Sequence, residues 1–262
     1  MPEFIHLHNH SHYSLLDGAS TVEALVAAAV QNKMPSVALT DHGVMYGSME
    51  FYKKATKAAI KPIVGCEAYI VRTGTRFDKY SATDRTSNIQ KGGNYHHLLL
   101  LAKNETGYRN LIKLVTLGHT EGYYYRPRID FELLARYKDG LVVTSACPGG
   151  IVGAYLLDGK YDEARTVAGK YKELFGDDFY IEIQNHGLDI EEPILSNAPR
   201  LAKELGVKLV ATNDCHYISS KHSMPHNIMK YIPDATSTFS PDYKVLKYRT
   251  DQLFFKSAAE MI

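Results

Sequence analysis

Cysteine is scarce in this chain of 262 residues: there are three, Cys66, Cys147 and Cys215, each at the end of an apolar run and none in a spaced framework. That argues against a disulfide-stapled fold. An excess of either charge is lacking too, since 30 Lys and Arg against 29 Asp and Glu leave a formal net charge of +1. A protein that holds nucleic acid by itself carries a basic footprint, so any such substrate must be gripped locally or delivered by another domain. No apolar run approaches the roughly 18 residues of a membrane span, and no membrane partner is expected. The start shows no charged region leading into an apolar stretch and a small-residue cleavage site, so secretion is not indicated and a cytoplasmic location is expected. Internal repeats and low-complexity tracts are absent.

What is present is a globular composition, 45% apolar and 23% charged, on a chain long enough for one (β/α) barrel. Seven short β-branched or leucine-rich runs recur, at 4–8, 36–41, 62–70, 95–102, 141–146, 179–184 and 208–213. Helical spacing appears between them at 21–32, with Ser20 or Thr21 as cap, and at 47–59, 105–117, 161–174 and 189–205. This alternation predicts parallel β/α units. A closed barrel and an open doubly wound sheet both satisfy it, and seven strands at this length favour the barrel. Residues 72–94 are polar and Gly-rich and read as an excursion. After Tyr217 the alternation stops, and the chain ends on what looks like a helix capped by Ser257 and cut after one turn, as in a fragment of a longer polypeptide.

Four of the twelve histidines stand at every second position in Phe4-Ile5-His6-Leu7-His8-Asn9-His10-Ser11-His12. On a strand, period-2 geometry puts all four imidazoles on one face, which makes a metal-binding face. A purification tag would be contiguous histidines without the apolar Phe4, Ile5 and Leu7. Other ligand-type residues lie at strand ends, where a barrel gathers its chemistry: Asp41 and His42, Glu67 within an apolar run, Cys147, and Asp214 with His216. A buried carboxylate such as Glu67 needs a cation or a metal. Adjacent Asp41 and His42 cannot both point inward, so one of them should hold another ligand's orientation. His97 begins its run instead of ending it, so that strand runs differently from the rest or its register is irregular. Its neighbour His96 is chemically as suitable. Cys147 alone would be a small buried hydrophobe, and Asp17, in Leu-Leu-Asp-Gly, an ordinary turn residue.

Together the motifs His-Leu-His-Asn-His-Ser (6–11), Tyr-Ser-Leu-Leu-Asp-Gly (13–18), Leu-Thr-Asp-His-Gly (39–43), Ile-Lys-Pro-Ile-Val-Gly-Cys-Glu-Ala-Tyr (60–69), His-Leu-Leu-Leu-Leu-Ala-Lys-Asn-Glu-Thr-Gly-Tyr-Arg-Asn-Leu (97–111) and Ala-Thr-Asn-Asp-Cys-His-Tyr (211–217) carry a specific resemblance. They are similar to the PHP (polymerase and histidinol phosphatase) family, in the form that opens bacterial replicative DNA polymerase III alpha subunits. The similarity runs nearly end to end, through Tyr-Arg-Pro-Arg-Ile-Asp (125–130) and the final Phe-Phe-Lys-Ser-Ala-Ala-Glu-Met (254–261). It implies an α/β fold, a distorted seven-stranded (β/α) barrel, TIM-barrel-like, with a metal site at the C-terminal ends of the strands. The barrel is expected over about 1–216 of a single PHP domain (1–262), with a helical extension over about 217–262 leading toward polymerase sequence. The family's metal residues fall on His8, His10, Asp17, His42, Glu67, His97, Cys147, Asp214 and His216, which selects His97 over His96 and His42 over Asp41. His6 is left as a lower-layer core residue and His12 as a rim residue.

The resemblance implies two to three divalent ions, zinc, manganese or iron. Glu67 would bridge, with His8, His10 and Asp214 on one ion, His97 and Cys147 on a second, and Asp17, His42 and His216 on a third. Glu67, Asp214 and His10 are taken as the catalytic members. It also implies metal-dependent 3′ to 5′ exonuclease activity on DNA ends, weakly bound by this domain alone, with the rest of the polymerase chain as partner. A non-catalytic scaffold and a free-standing phosphatase on a small ester are the rival readings. Pro148-Gly-Gly-Ile151 departs from the family's usual Leu-x-Gly-Glu and loses an acidic group beside Cys147. Residues 123–128, Tyr-Tyr-Tyr-Arg-Pro-Arg, are of a type that stacks and clamps single-stranded DNA, or that packs under a loop.

Overall fold

The computed structural model describes residues 4–79, 94–232 and 249–261. The chain forms a distorted seven-stave (β/α) barrel; the described residues hold the strands β1 (Ser36–Leu39), β2 (Lys61–Val71), β3 (Tyr95–Ala102), β4 (Tyr123–Tyr124), β5 (Arg126–Ile129), β6 (Leu141–Thr144), β7 (Phe179–Ile183) and β8 (Lys208–Ala211), six of which are staves. Pairing runs β1, β2, β3, β6, β7, β8. The seventh stave is the extended stretch 6–10, which closes the ring. On one side Ala38 N donates to His6 O at 2.9 Å and Thr40 N to Asn9 O at 3.0 Å; on the other, His10 N donates to Cys215 O at 2.8 Å and Cys215 N to His8 O at 3.1 Å. The expected strand at 4–8 therefore exists as a stave but not as a regular ladder. Asn9 interrupts it, because its amide donates to His6 O and Ala38 O and its backbone N–H to Thr40 Oγ1. The β4–β5 hairpin lies outside the ring, with β5 parallel to the upper end of β2.

One strand corrects the all-parallel expectation: β3 is antiparallel to both β2 and β6. Its run Leu98–Leu101 is buried on both faces, and continuous apolar runs mark burial without marking direction. The reversal brings the start of β3 to the level of the carboxyl end of β2, pairing His97 with Tyr69.

Helices wrap the ring: α1 (Val22–Gln31), α2 (Ser48–Lys57), α3 (Glu105–Thr120), α4 (Phe131–Arg136), α5 (Ile151–Leu157), α6 (Tyr161–Phe175) and α7 (Glu192–Leu205), followed by α8 (Ser223–Tyr231) and α9 (Ala258–Met261). Their starts are set by side chains that satisfy the free N–H groups of the first turn. Thr21 Oγ1 accepts from Ala24 N, Asn104 Oδ1 from Gly107 N and Asp130 Oδ1 from Leu133 N. A large core packs β2, β3, β6 and β7 under α3 to α7, and a smaller one packs α1, α2 and β1 with Phe255. Residues 252–256 return to the barrel in extended form, with His216 N donating to Leu253 O and Phe255 N to Tyr217 O. The last helix opens just after Ser257 as expected, but the Ser257 side chain accepts from none of its described N–H groups; its N–H and Oγ both donate to Glu260 Oε2 at 2.7 Å. The excursion expected over 72–94 lies outside the described residues from 80 to 93, as does 233–248 of the extension.

Candidate metal centre

At one end of the ring His8, His10, Glu67 and Asp214 face one another. His8 and His10 are two apart on the closing stave and so share a face. His8 Nε2 is 3.3 Å from Glu67 Oε1 and 3.3 Å from Asp214 Oδ1; His10 Nε2 is 3.4 Å from Glu67 Oε2 and 3.1 Å from the same Asp214 oxygen. The far nitrogens are already engaged. His8 Nδ1 lies 2.8 Å from Glu182 Oε1, and His10 Nδ1 lies 2.9 Å from Ser14 Oγ, whose own hydrogen is directed at Asp41 Oδ1. Both Nδ1 atoms are thus donors, and both Nε2 atoms turn toward carboxylate oxygens, the arrangement by which histidine ligands are oriented.

His8 Nε2, His10 Nε2, His42 Nδ1, Glu67 Oε2 and Asp214 Oδ1 are buried, and none has a hydrogen bond of acceptable geometry, although they lie within ion-pair distance. Leaving that many polar atoms unsatisfied costs about 1–3 kcal/mol each. The ligand atoms of a tetrahedral ion held at about 2.1 Å stand about 3.4 Å apart, which matches the four separations above. The mixed imidazole and carboxylate donors suit a divalent transition metal, so these residues fit such an ion.

The other sequence-predicted residues adjoin this set. His97 Nδ1 is 2.9 Å from Glu67 Oε1, and Cys147 Sγ lies 3.5 Å from that oxygen and 3.4 Å from His97 Nδ1. His42 sits between two carboxylates, Nδ1 2.7 Å from Glu67 Oε2 and Nε2 2.8 Å from Asp17 Oδ2. His216 Nδ1 donates to Asp214 O at 2.7 Å and turns Nε2 toward Asp17 Oδ1 at 3.3 Å. All nine converge. His96 instead turns its Nδ1 to Gly149 O, His6 is buried beside Phe255 with Nε2 on Lys256 O, and His12 is exposed. Leu16, Ala146 and Asp214 adopt positive φ without being glycine, at 60°, 59° and 43°. Such backbone costs roughly 1–3 kcal/mol per residue and clusters at working sites; here it falls on or beside Asp17, Cys147 and Asp214.

Electrostatically the centre calls for cations. Burial alone would raise the Glu67 carboxyl, but His97, His42 and His8 around it hold it well below the usual range. Asp17 and Asp214 are lowered in the same way, against burial, chiefly by His216 and by His8 respectively. Burial opposes charging of His8, His10 and His42, yet nearby carboxylates prevail and all three are raised, His42 to about 9. Burial, with Glu67 and Asp214 close by, pushes the Cys147 thiol well up. Imidazole protons balance the carboxylates, and a divalent ion binding there would displace them. By contrast, a cavity of about 740 Å³ lined by residues such as Leu7, Ile63 and Val142 includes none of the nine.

This ring of ligand-type residues on a distorted barrel defines a class, and the chain belongs to the PHP domain family, whose model matches residues 6–186. Among curated proteins it is similar to the DNA polymerase III alpha subunit of Borreliella burgdorferi, 41% identical over 258 residues, covering 98% of this chain and 22% of that subunit. The DNA polymerase III alpha subunit of Treponema pallidum is 43% identical over 259 residues, 98% of this chain and 21% of the subunit. The chain thus spans about a fifth of the length of these relatives. Among solved structures, an amidohydrolase from Chromobacterium violaceum, determined with bound sulfate and no metal, matches at 17% identity with a TM-score of 0.49 over 81% of this chain and 87% of that one. That likeness is too loose to transfer chemistry.

Sequence reasoning missed the residues that support the nine. Glu182 on β7 is buried and accepts from His8 Nδ1, Gln184 Nε2, Thr212 Oγ1 and Thr144 Oγ1. Its signal was available: an acid in the apolar run Phe-Tyr-Ile-Glu-Ile, the pattern that exposed Glu67. Asp41 plays the orienting part expected of one member of its pair, accepting from Ser11 N, Ser11 Oγ and Ser14 Oγ. The departing Pro148-Gly-Gly turn clamps β3, since His97 N donates to Gly149 O at 3.0 Å. His226 and Lys230 on α8 also reach Asp17.

Proposed function

We propose that this domain is a metal-dependent phosphodiesterase of a bacterial replicative DNA polymerase, shortening DNA from the 3′ end in the cytoplasm. The observation that carries the reading is the group of five buried ligand-type atoms that face one another without hydrogen-bond geometry. His8, His10, Asp214 and Glu67 would hold one ion, Glu67 with His97 and Cys147 a second, and Asp17, His42 and His216 a third, two to three of zinc, manganese or iron in all. When bound, such ions lower the pKa of a water toward neutrality and stabilise charge on phosphate oxygens.

The chain's own residues orient and admit the substrate. Glu182, and Ser14 backed by Asp41, fix His8 and His10. Glu67, Asp214 and His10 form the catalytic heart. At the rim the Arg126 guanidinium stands 5.5 Å over the Tyr69 ring, whose centroid is 5.4 Å from that of His97, and Tyr125 is 76% exposed. A cation and an exposed aromatic beside the centre suit a single-stranded end. With a net charge of +1 the grip is weak, so the remaining polymerase chain would deliver the duplex, in keeping with the relatives' length.

The test runs a labelled primer and histidinol phosphate side by side with manganese or zinc at low salt, using protein of measured metal content. Stepwise shortening of the primer, lost in Asp214→Asn with the fold retained, is the expected result. Rapid phosphate release from the small ester alone would favour a phosphatase, and a fully loaded protein inactive on both would be a scaffold.

A further inference from the structure

The corner around Asp17 holds two residues that the nine do not include. His226 is fully buried on α8, with Nε2 3.5 Å from Asp17 Oδ1 and its ring centroid 5.2 Å from that of His216. His216 Nε2 lies 3.3 Å from the same oxygen, and its Nδ1 is committed as donor to Asp214 O, so Nε2 is the nitrogen left to face an ion at this corner. Separations of 3.3 and 3.5 Å are those expected between ligands of one tetrahedral ion, about 3.4 Å. Asp17, His216 and His226 together offer three such atoms within 4.8 Å of one another. His42, assigned above to the same ion, approaches the other Asp17 oxygen at 2.8 Å and is shared with Glu67, so the corner has room for a further ligand of its own.

A cation already stands at this corner. Lys230 Nζ is 2.6 Å from Asp17 Oδ1, the oxygen that both histidines face. Lys230 lies four residues after His226 on α8, one turn along the same face. An ammonium and a divalent ion on one carboxylate oxygen repel each other, so their occupancy is competitive.

We propose that His226 completes a metal site with Asp17 and His216, and that Lys230 is a built-in competing cation that must leave Asp17 for the ion to bind. The proposal rests on the reading of the centre as metal-dependent and extends it: filling of this corner is graded by α8, while the ions at Glu67 are independent of it.

The experiment titrates cobalt(II) into metal-free protein, reading d–d absorption and, after desalting, metal per chain by elemental analysis. His226→Gln should lose one ion and keep those at Glu67. Lys230→Met should bind the corner ion at least about tenfold more tightly than the parent, because a like charge within a few ångströms is removed. His226→Gln with unchanged stoichiometry and affinity, or Lys230→Met with no tightening, overturns the proposal. If His226→Gln does not fold by circular dichroism, Lys230→Met, at a partly exposed position, decides alone. Two ions in the parent and in Lys230→Met, with hydrolysis intact, would reject the corner site and leave the phosphodiesterase reading standing. A parent that takes up no ion would reject both.

Discussion

Glu182→Gln tests whether the support beneath the centre matters. The substitution keeps shape and removes charge. Glu182 Oε1 accepts from His8 Nδ1 at 2.8 Å, Gln184 Nε2 at 2.8 Å and Thr212 Oγ1 at 2.5 Å, while Oε2 accepts from Thr144 Oγ1. An amide oxygen at the Oε1 position retains the first three bonds in weaker, uncharged form. The new NH2 then faces Thr144 Oγ1 and can donate to it, but the Thr144 hydrogen loses its carboxylate acceptor. One charge-assisted bond is exchanged for a neutral one, a loss of at most about 1.5–3 kcal/mol, within the 5–15 kcal/mol that domains ordinarily have to spare. The fold should therefore survive. His8, deprived of its carboxylate, becomes a poorer ligand, and such losses lower metal affinity roughly 10–100-fold, or about 1.4–2.7 kcal/mol. Competition with a chromophoric chelator measures the affinity, and circular dichroism checks the fold. Glu182→Asp, which keeps the charge one methylene further back, should fall between. A folded Glu182→Gln protein that binds metal as tightly as the parent would refute the claim that Glu182 orients His8 for an ion.

Two further outcomes follow from the surroundings of the centre. A Cβ at Gly150 would lie 2.1 Å from Ser145 O, a backbone atom that cannot step aside, so Gly150→Ala should disturb the Cys147 turn and lower the melting temperature by several degrees. Gly169→Ala on α6, whose new methyl would meet only Leu205 Cδ2 at 4.0 Å, should instead raise it; a destabilised Gly169→Ala or an unaffected Gly150→Ala would contradict the packing described. At acid pH, Asp130 is the group to watch. Burial would raise its carboxyl, but the backbone N–H groups of Arg76 and Leu133 and the Arg76 guanidinium lower it. A folded pKa below the unfolded value of about 3.9 means stability that is present above that pH and lost as pH falls through the folded value. Denaturant melts of metal-free protein should show Asp130→Asn losing less stability than the parent on acidification below about pH 4, and parallel curves would count against this.

Most of the fold was legible because its signals are local. All seven apolar runs became staves, Thr21 became a cap where expected, and the last helix opens just after Ser257. What escaped was decided by tertiary partners. The direction of β3 could not be read from Leu98–Leu101, since leucines buried on both faces look the same whichever way the strand runs. The short helices α4 and α5, with six and seven residues, offer too few turns for a periodic signal, and they exist because Leu133, Leu134, Ile151 and Val152 are buried in the larger core. Asn9 inside the first stave gave no warning that its side chain would take over part of the ladder.

For the site, the division is between residues that are conspicuous by type and residues that are conspicuous only by position. Histidine, aspartate and glutamate at the ends of apolar runs are costly to bury unless paired, so His8, His10, Glu67 and Asp214 announce themselves. Ser14, Thr144, Thr212 and Gln184 are ordinary types whose role exists only because folding sets them against His10 or Glu182. His97 falls between these cases, because its type was conspicuous while its place at the start of a strand argued against it. Reversal of β3 removes the objection: the start of an antiparallel stave lies level with the carboxyl end of β2, so His97 Nδ1 comes within 2.9 Å of Glu67 from the opposite chain direction. The ring of ligand-type residues is kept complete by exchanging a strand's end for a strand's beginning, and only the pairing of His97 with Tyr69 could reveal that exchange.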